Sequence, residues 1–425
     1  MSSGFRKFWS LLSARSTAKT LLTLSDQGVA SVTNFLTSIM IGRYCSKSEF
    51  ALYSLGFSIT LFIITIQESL IAGPYTVYRP RLTGLAAKHY NGSVLMHQAA
   101  LCLTAVTGIM IASLIASYYS ASTDLAWALQ GLAIAIAPIL FRDYFRRINF
   151  ANLLVGVTFA MDLWVAVIQL GGLFFFCYLG ILNIMHAYWI IAASCALVSI
   201  YWLISNREAL SVSIEITRHH LLQNLTFGRW VVAANLVSLM SSQLYLWFLT
   251  LSRGTADVSA LAACQGVIVF SNPLLIGLKN SMGPKMSHVY AKQGTVGLRR
   301  TVFQVSALLG LLMGLFCLVL IPFGDRLVAG LYGSKYAGFG LVVSVLALGT
   351  WVSAASWPSA YGLWTLDRVY WNFKVDLVGA GISLTLGLLL VKLFGVSGAA
   401  FGYLISSIVT SCIRWRLFHR FIKTC

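Results

Sequence analysis

The feature that most limits the fold of this chain is a series of apolar stretches, about twelve in number, each close to the roughly 20 residues that an α-helix needs to cross a bilayer. Short polar breaks, or breaks marked by glycine and proline, separate them. Only 10% of the residues are charged, which is too few for a soluble globular protein. We therefore expect an all-α polytopic membrane protein with helices near residues 21–41, 50–72, 94–117, 123–141, 151–177, 183–204, 229–251, 261–281, 301–323, 339–362, 374–394 and 396–418.

The segments outside these stretches are too short to hold a folded soluble domain, so any site should lie within the membrane or at its faces. The N-terminal segment 1–20 is basic and amphipathic, which predicts a helix lying on the membrane surface. The eight cysteines are scattered singly and show no spacing typical of a metal site or a disulfide framework. The sequence predicts no enzyme activity, no cofactor and no metal site.

Lysine and arginine are distributed unevenly between the two expected faces of the membrane. If the N-terminus is cytoplasmic, most of the 30 basic residues fall on that face, and the opposite face receives Arg43, Lys47, Arg253, Arg326, Lys335 and Lys392. This distribution follows the positive-inside rule and predicts two cytoplasmic termini. The net charge of +18 then indicates contact with anionic membrane lipids, and nucleic-acid binding, which would need an exposed basic domain, is not expected.

The two halves of the sequence resemble each other. The segment GILNIMHAYWIIAASCALVSIYWL from Gly180 aligns with GVSGAAFGYLISSIVTSCIRWRL from Gly395, and a stretch with an intramembrane aspartate, Asp162 or Asp376, precedes each. Six helices between equivalent points preserve orientation, so the repeats should be parallel and related by a pseudo-two-fold axis along the membrane normal. We expect a first lobe at 21–204, a cytoplasmic loop at 205–228, a second lobe at 229–418 and a tail at 419–425.

The start of the first lobe carries a recognisable pattern. The stretch DQGVASVTNFLTSIMIGRYCSKSEFALYSLGFSI, from Asp26 to Ile59, contains Asp-Gln, Asn-Phe and Glu-Phe-x-x-Tyr, and FRDYFRRINFAN follows at 141–152. Both resemble segments of oligosaccharide-lipid flippases of the polysaccharide transport family, within the multidrug/oligosaccharidyl-lipid/polysaccharide (MOP) superfamily. The resemblance implies two six-helix bundles in a V and a polyprenyl-diphosphate-linked glycan as substrate, such as an O-antigen, capsule or exopolysaccharide repeat unit. It also implies a monomer in the bacterial cytoplasmic membrane, in contact with other membrane proteins of polysaccharide assembly.

Polar side chains at membrane depth are costly and usually face water or a bundle interior. The candidates for lining a hydrated lumen are Asp26, Gln27, Asn34, Glu68 and Asp162. Gln27 and Asn34 lie seven residues apart and share one helix face, and the three acids could couple transport to an ion. Each acid also has a structural alternative. Asp26 could bond a neighbouring helix or a loop arginine such as Arg79, Arg81 or Arg146, Glu68 could pair with a base, and Asp162 could join helices through hydrogen bonds.

Five basic residues are candidates for holding a diphosphate: Arg43, Arg253, Arg79, Arg81 and Lys279. Arg43 and Arg253 follow the first and seventh helices at corresponding points, at the expected outer face, and guanidinium groups bind phosphate oxygens in pairs. Arg79 and Arg81 would form the inner counterpart. The alternatives are an interfacial anchor for Arg43 and Arg253, a topology signal for Arg79 and Arg81, and a side chain that reaches the interface for Lys279.

Aromatic faces are a second way to bind sugars, although most aromatic residues here lie near helix ends, where an interfacial belt explains them. The candidates for facing a lumen are Tyr75, Tyr78, Trp351, Trp357, Tyr361 and Trp364. The Gly398–Gly402 pair, four residues apart on one helix, predicts close helix packing.

Four functions compete for this sequence. The first is a flippase that moves a polyprenyl-diphosphate-linked oligosaccharide across the membrane by alternating access. The second is an ion-coupled antiporter of drugs or organic cations with the same fold, which would use lumen acids such as Asp26, Glu68 and Asp162. A membrane-embedded glycan polymerase or ligase would carry a large external loop with paired catalytic residues, and a channel would carry a filter-like repeat. The sequence shows neither feature.

Overall fold

The computed structural model describes residues 14–119 and 123–424. Most of the predicted surface helix at 1–20 and the final residue of the predicted tail lie outside these ranges, and residues 14–20 belong to the first helix. Across the described ranges the regular structure is helical throughout. We number the α-helices α1 to α13 in chain order. They are Ala14–Tyr44, Lys47–Gln67, Gly73–Tyr78, Gly84–Tyr119, Thr123–Ala151, Val155–Tyr178, Ile184–Ser205, Ile214–Ser252, Thr255–Ile268, Asn272–Tyr332, Gly340–Thr365, Val369–Ile382 and Leu388–Thr424.

Short irregular turns connect some of these helices without ending the span. A π-helical turn at Glu68–Ala72 joins α2 to α3, and another at Ser383–Gly387 joins α12 to α13. Nine helical stretches in the described part of the chain are long and apolar enough to cross a membrane. The sequence therefore predicted the multi-span, all-helical architecture correctly.

Two of the long helices, α10 and α13, contain a kink at a glycine. Gly294 within α10 has φ 63° and Gly395 within α13 has φ 58°, values in the left-handed region that favours glycine. Gly395 lies between the predicted spans 374–394 and 396–418, so the sequence located this turn. The predicted span 301–323 is shorter than the observed helix, which continues after Gly294 as far as Tyr332.

The chain divides into two compact units. The first contains the described residues of Met1–Thr37 and Thr60–Val232, and the second contains Ser38–Ile59 and the described residues of Ala233–Cys425. The first unit includes the whole predicted loop 205–228, part of which is the beginning of α8. The lobe boundaries that we derived from the repeat remain a prediction.

The predicted loop is structured because polar groups attach it to α4. The backbone N–H of Ser211 donates to the carbonyl of Lys88 at 3.1 Å, and the hydroxyl of Tyr90 donates to Asn224 Oδ1 at 3.0 Å. His220 Nδ1 lies 2.9 Å from Ser93 Oγ, and burial lowers the pKa of His220, with nearby histidines adding to the effect. The neutral imidazole therefore belongs to the folded contact.

Close helix packing in the second unit depends on the predicted glycine pair. A Cβ placed on Gly398 would lie 1.9 Å from the backbone oxygen of Leu390, and one on Gly402 would lie 2.8 Å from the Tyr245 ring. Real carbon atoms do not approach this closely, so the two sides of the Gly395 turn can meet only where a side chain is missing. The structure confirms the predicted packing role of this pair.

We predict that Gly398→Ala destabilises the protein by about 1–3 kcal/mol, the range for overpacking a tightly packed interior. The matched control is Gly381→Ala on α12, where an added Cβ meets no atom within 4 Å, so this change should be neutral or slightly stabilising. Thermal unfolding of both variants in lipid nanodiscs measures the difference. Equal unfolding temperatures would contradict the packing role of Gly398.

Candidate functional site

Two aspartates in the first unit share one arginine. Asp26 on α1 and Asp162 on α6 are 0% and 1% exposed. Arg146 on α5 donates from Nη2 to Asp26 Oδ2 at 2.7 Å and from Nε to Asp162 Oδ2 at 2.8 Å. A single guanidinium therefore joins three helices through two charge-assisted hydrogen bonds.

A second arginine completes the charge balance. Arg142, one helical turn before Arg146 on α5, donates from Nη2 to Asp162 Oδ1 at 2.6 Å. Two carboxylates and two guanidinium groups thus face each other in the interior of the first unit. Pairing of this kind is what makes buried charge tolerable, because unpaired charges cannot recover their lost hydration. Asp26 is therefore paired with an arginine, Arg146, as the structural alternative for this residue proposed.

Glu68 has a partner too, at a more open position. Arg147 donates from Nε to Asp143 Oδ2 at 2.6 Å, one turn earlier on α5, and its Nη1 lies 2.9 Å from Glu68 Oε1. Glu68 is exposed and begins the π-helical turn that follows α2. Its pairing with a base agrees with the structural alternative given above.

The sequence of α5 explains why this helix organises the acids. In FRDYFRRINF, Arg142 and Arg146 are four residues apart and share one face, while Arg147 is turned by about 100° and reaches a different set of acids. The sequence analysis had named Arg146 among the possible partners of Asp26 but had not singled out Arg142 or Arg147. Their spacing and the two facing aspartates are the signal that could have identified them.

The predicted outer arginines, Arg43 and Arg253, are exposed, and both belong to the second unit. Arg43 donates from Nη1 to the carbonyl of Gly330 at 2.7 Å. Arg253 donates from Nη2 to the carbonyls of Lys392 and Leu393, at 2.7 and 3.2 Å. Each guanidinium is held near a helix end by backbone oxygens while its side chain remains accessible, and the two make similar contacts at corresponding points of the sequence repeat.

The inner candidates differ in exposure. Arg79 is half-buried and donates from Nε to Asn91 Oδ1 at 2.9 Å, whereas Arg81 is exposed. Both belong to a single 3₁₀ turn, Arg79–Arg81, at the end of α3. The side chain of Lys279 lies outside the described residues.

Of the two predicted lumen amides, Asn34 is exposed, and Gln27 is half-buried with Nε2 3.4 Å from Ser31 Oγ. A different amide forms the buried contact between helices. Gln169 on α6 donates to Thr37 Oγ1 on α1 at 2.8 Å. Residue type and span position alone do not distinguish this glutamine from the others.

The second unit contains a cavity of about 320 Å³. Its lining comes from α8, α11, α12 and α13, and its composition is unusual for a membrane interior, with seven serines and one threonine. Three of the aromatic residues predicted to face a lumen, Trp357, Tyr361 and Trp364, line this cavity together with Tyr403. Trp351 is instead held by a hydrogen bond from Nε1 to the carbonyl of Gly310 at 2.7 Å.

An ion pair and an amide add to the polar lining. Arg414 on α13 donates from Nη2 to Asp376 Oδ1 on α12 at 2.8 Å. Asn372, one turn before Asp376, donates from Nδ2 to the carbonyl of Ala360 at 3.0 Å. The sequence analysis had named Asp376 only as the counterpart of Asp162 and had not singled out Arg414 or Asn372. The serines recur at spacings of three and four along α8 and α11, which is the pattern that could have indicated a polar face.

Several solved structures share the fold of this chain. An inward-facing structure of a multidrug resistance MATE family transporter of the MOP superfamily matches 95% of this chain and 98% of that chain, with a TM-score of 0.74 at 15% identity. An outward-facing structure of a multidrug resistance MATE family transporter also matches, with a TM-score of 0.61 at 14% identity, over 95% of this chain and 94% of that chain.

A MOP superfamily transporter from Pyrococcus furiosus, reported to have a binding pocket of reverse polarity, also matches. The match covers 95% of this chain and 94% of that chain, with a TM-score of 0.68 at 12% identity. No family model matches the sequence, and neither does any curated protein. The described part of the chain therefore has the fold of the MATE transporters of the MOP superfamily.

We predict that Arg146→Met destabilises the protein by about 3–5 kcal/mol, because it leaves two buried carboxylates without a shared partner. The double variant Arg146→Met/Asp26→Asn should be more stable than the single variant, since it removes the charge of Asp26, while Asp162 keeps its contact with Arg142. The control Arg218→Gln replaces an exposed arginine and should change the free energy of unfolding by no more than about 0.5 kcal/mol. Unfolding in nanodiscs measures all three, and a double variant less stable than Arg146→Met would contradict the assignment.

Proposed function

We propose that this protein is a flippase that moves a polyprenyl-diphosphate-linked oligosaccharide from the cytoplasmic to the outer leaflet of a bacterial cytoplasmic membrane by alternating access. Both termini would be cytoplasmic, in keeping with the distribution of basic residues. The substrate would be a repeat unit of an O-antigen, capsule or exopolysaccharide, as the resemblance of the first helix implies.

The observation that carries this proposal is the pairing of the deep acids in the first unit. A cation exporter needs a carboxylate that is free to receive its substrate or a coupling ion. Asp26 and Asp162 are instead occupied by Arg146 and Arg142 at 2.6–2.8 Å. A substrate cation would have to displace two guanidinium groups that are covalently part of the protein, so the site favours no positively charged ligand.

The accessible cations support a negatively charged substrate. Arg43, Arg81 and Arg253 are exposed, and the first and last of these are oriented by backbone carbonyls. Guanidinium groups bind diphosphate oxygens through planar, paired hydrogen bonds, which an ammonium group cannot do. The similar Pyrococcus furiosus transporter, whose pocket of reverse polarity is reported to suggest a different function, is consistent with a fold that serves more than one function.

We expect purified protein in liposomes to move undecaprenyl-diphosphate carrying a fluorescent sugar between leaflets, measured with an impermeant quencher. Arg43→Gln and Arg253→Gln should each slow transfer about tenfold or more, because a hydrogen bond to a charged group contributes about 1.5–3 kcal/mol. The matched control is Arg326→Gln, which removes another exposed arginine from the expected outer face and should leave the rate unchanged.

The competing function makes the opposite prediction in the same liposomes. An antiporter would export tetraphenylphosphonium in response to a proton or sodium gradient and would leave the sugar-lipid in place. That result would reject the flippase. Transfer that proceeds normally in both Arg43→Gln and Arg253→Gln would keep the flippase but reject these two residues as diphosphate ligands.

A further inference from the structure

We propose that the cavity of the second unit is a binding site for a single neutral glycosyl residue of the transported lipid. This inference rests on the proposed function and adds to it a place where the sugar, as distinct from the diphosphate, is recognised. The lining residues that carry it are Asn372, Arg414, Asp376, Tyr361 and Trp364.

Two lining groups have hydrogen-bonding capacity that no group in the described part of the protein uses. Asn372 is 7% exposed, and its Oδ1 is a buried acceptor without a donor. Arg414 Nε is a buried donor without an acceptor, although its Nη2 is bonded to Asp376. Unused polar atoms inside a protein are costly, so such a pair indicates a ligand that supplies both a donor and an acceptor.

Sugar hydroxyls meet this requirement, since each hydroxyl both donates and accepts. The surrounding serine hydroxyls, such as Ser242 and Ser406, add further groups of the same dual character. A site built to bond hydroxyl groups rejects ligands that lack them, because its own polar atoms are then left unpaired. The polar lining therefore favours a glycosyl residue over an apolar drug.

The aromatic lining supplies the apolar contact that the face of a pyranose ring requires. Tyr361 and Trp364 pack edge to face with centroids 5.3 Å apart, which holds each ring in a defined orientation. Trp364 is 55% exposed and so retains free ring surface for a ligand. Rigid aromatic rings beside hydroxyl groups combine an apolar surface with directional bonding in one place.

The charge of the cavity determines which ligand these rings accept. Aromatic rings beside a carboxylate could also hold an organic cation. Here Asp376 is already paired with Arg414 at 2.8 Å, which leaves the ion pair without net charge. The cavity therefore suits a neutral glycosyl residue better than a cation or a diphosphate.

The size of the cavity limits how much of the glycan it holds. Its volume of about 320 Å³ lies at the lower end of the range for small-molecule sites. One glycosyl residue is a suitable occupant, and the rest of an oligosaccharide has to remain outside it.

The first test uses soluble sugars and the full-length protein in lipid nanodiscs, because glycoside detergents would compete for the site. Methyl glucoside, methyl galactoside and methyl N-acetylglucosaminide are added in turn while tryptophan fluorescence is recorded. At least one should bind the wild type, and Trp364→Ala should weaken its binding about fivefold to tenfold, measured by displacement of a spin-labelled glycoside. Asn372→Leu should weaken it further, by removing the unused acceptor.

The matched control is Trp127→Ala, which removes a tryptophan of similar exposure, 61%, from the first unit. It should leave glycoside affinity unchanged, and thermal unfolding checks that each variant remains folded. No binding of any of the three glycosides to the wild type, or equal affinity in Trp364→Ala and wild type, would overturn the inference. Preferential binding of tetraphenylphosphonium in the cavity, abolished by Trp364→Ala, would overturn it in favour of a cation site.

The second test separates this inference from the proposed flippase. Undecaprenyl-diphosphate with and without one N-acetylglucosamine is supplied to liposomes containing wild type or Trp364→Ala. We expect wild type to transfer the sugar-bearing lipid faster than the bare diphosphate lipid. Trp364→Ala should lose this difference in rate while it still moves the bare diphosphate lipid. An unchanged difference would overturn the cavity assignment and leave the flippase intact, whereas transfer of neither lipid by the wild type would overturn the flippase itself.

Discussion

The constraint on which the structure depends is that charge inside a membrane protein must be paired. Asp26 and Asp162 are buried, and Arg146 pairs with one oxygen of each, at 2.7 and 2.8 Å. Because these residues come from α1, α5 and α6, the same contacts that neutralise charge also fix three helices against each other. The polar chemistry of the first unit is therefore also part of its packing.

The two units use ionic groups in different ways. In the first unit, three arginines on α5 and four acids form several linked ion pairs, which leave Asp26 Oδ1 and Arg142 Nε without partners among the described residues. In the second unit, Asp376 and Arg414 form one pair at the edge of a cavity and leave Arg414 Nε without an acceptor in the described part of the chain. The two aspartates that correspond in the sequence, Asp162 and Asp376, thus belong to a network of ion pairs in one unit and to a single pair beside a cavity in the other.

Much of the fold could be predicted from the sequence, because long apolar runs indicate membrane helices and glycines indicate where such helices turn. The Gly395 turn and the close packing at Gly398 were both predicted for this reason. The partners of the acids could be predicted only in part, since Arg146 was one of three candidate arginines for Asp26 and none was named for Asp162. Which arginine faces Asp162 depends on how α5 and α6 are rotated about their axes, and composition does not determine that rotation. The hydroxyl-lined cavity was missed because each serine alone is unremarkable in a membrane helix.

The ion pairs of Arg146 bear on the energy source of transport. An ion from a gradient would have to compete with this tethered guanidinium for Asp26 and Asp162, which disfavours coupling through these two carboxylates. If the protein moves a glycan-lipid, net movement in one direction would then come from removal of the product, through reactions that consume the lipid-linked glycan at the outer surface. On this basis the carrier would equilibrate its substrate between leaflets, and later steps of glycan assembly would set the direction.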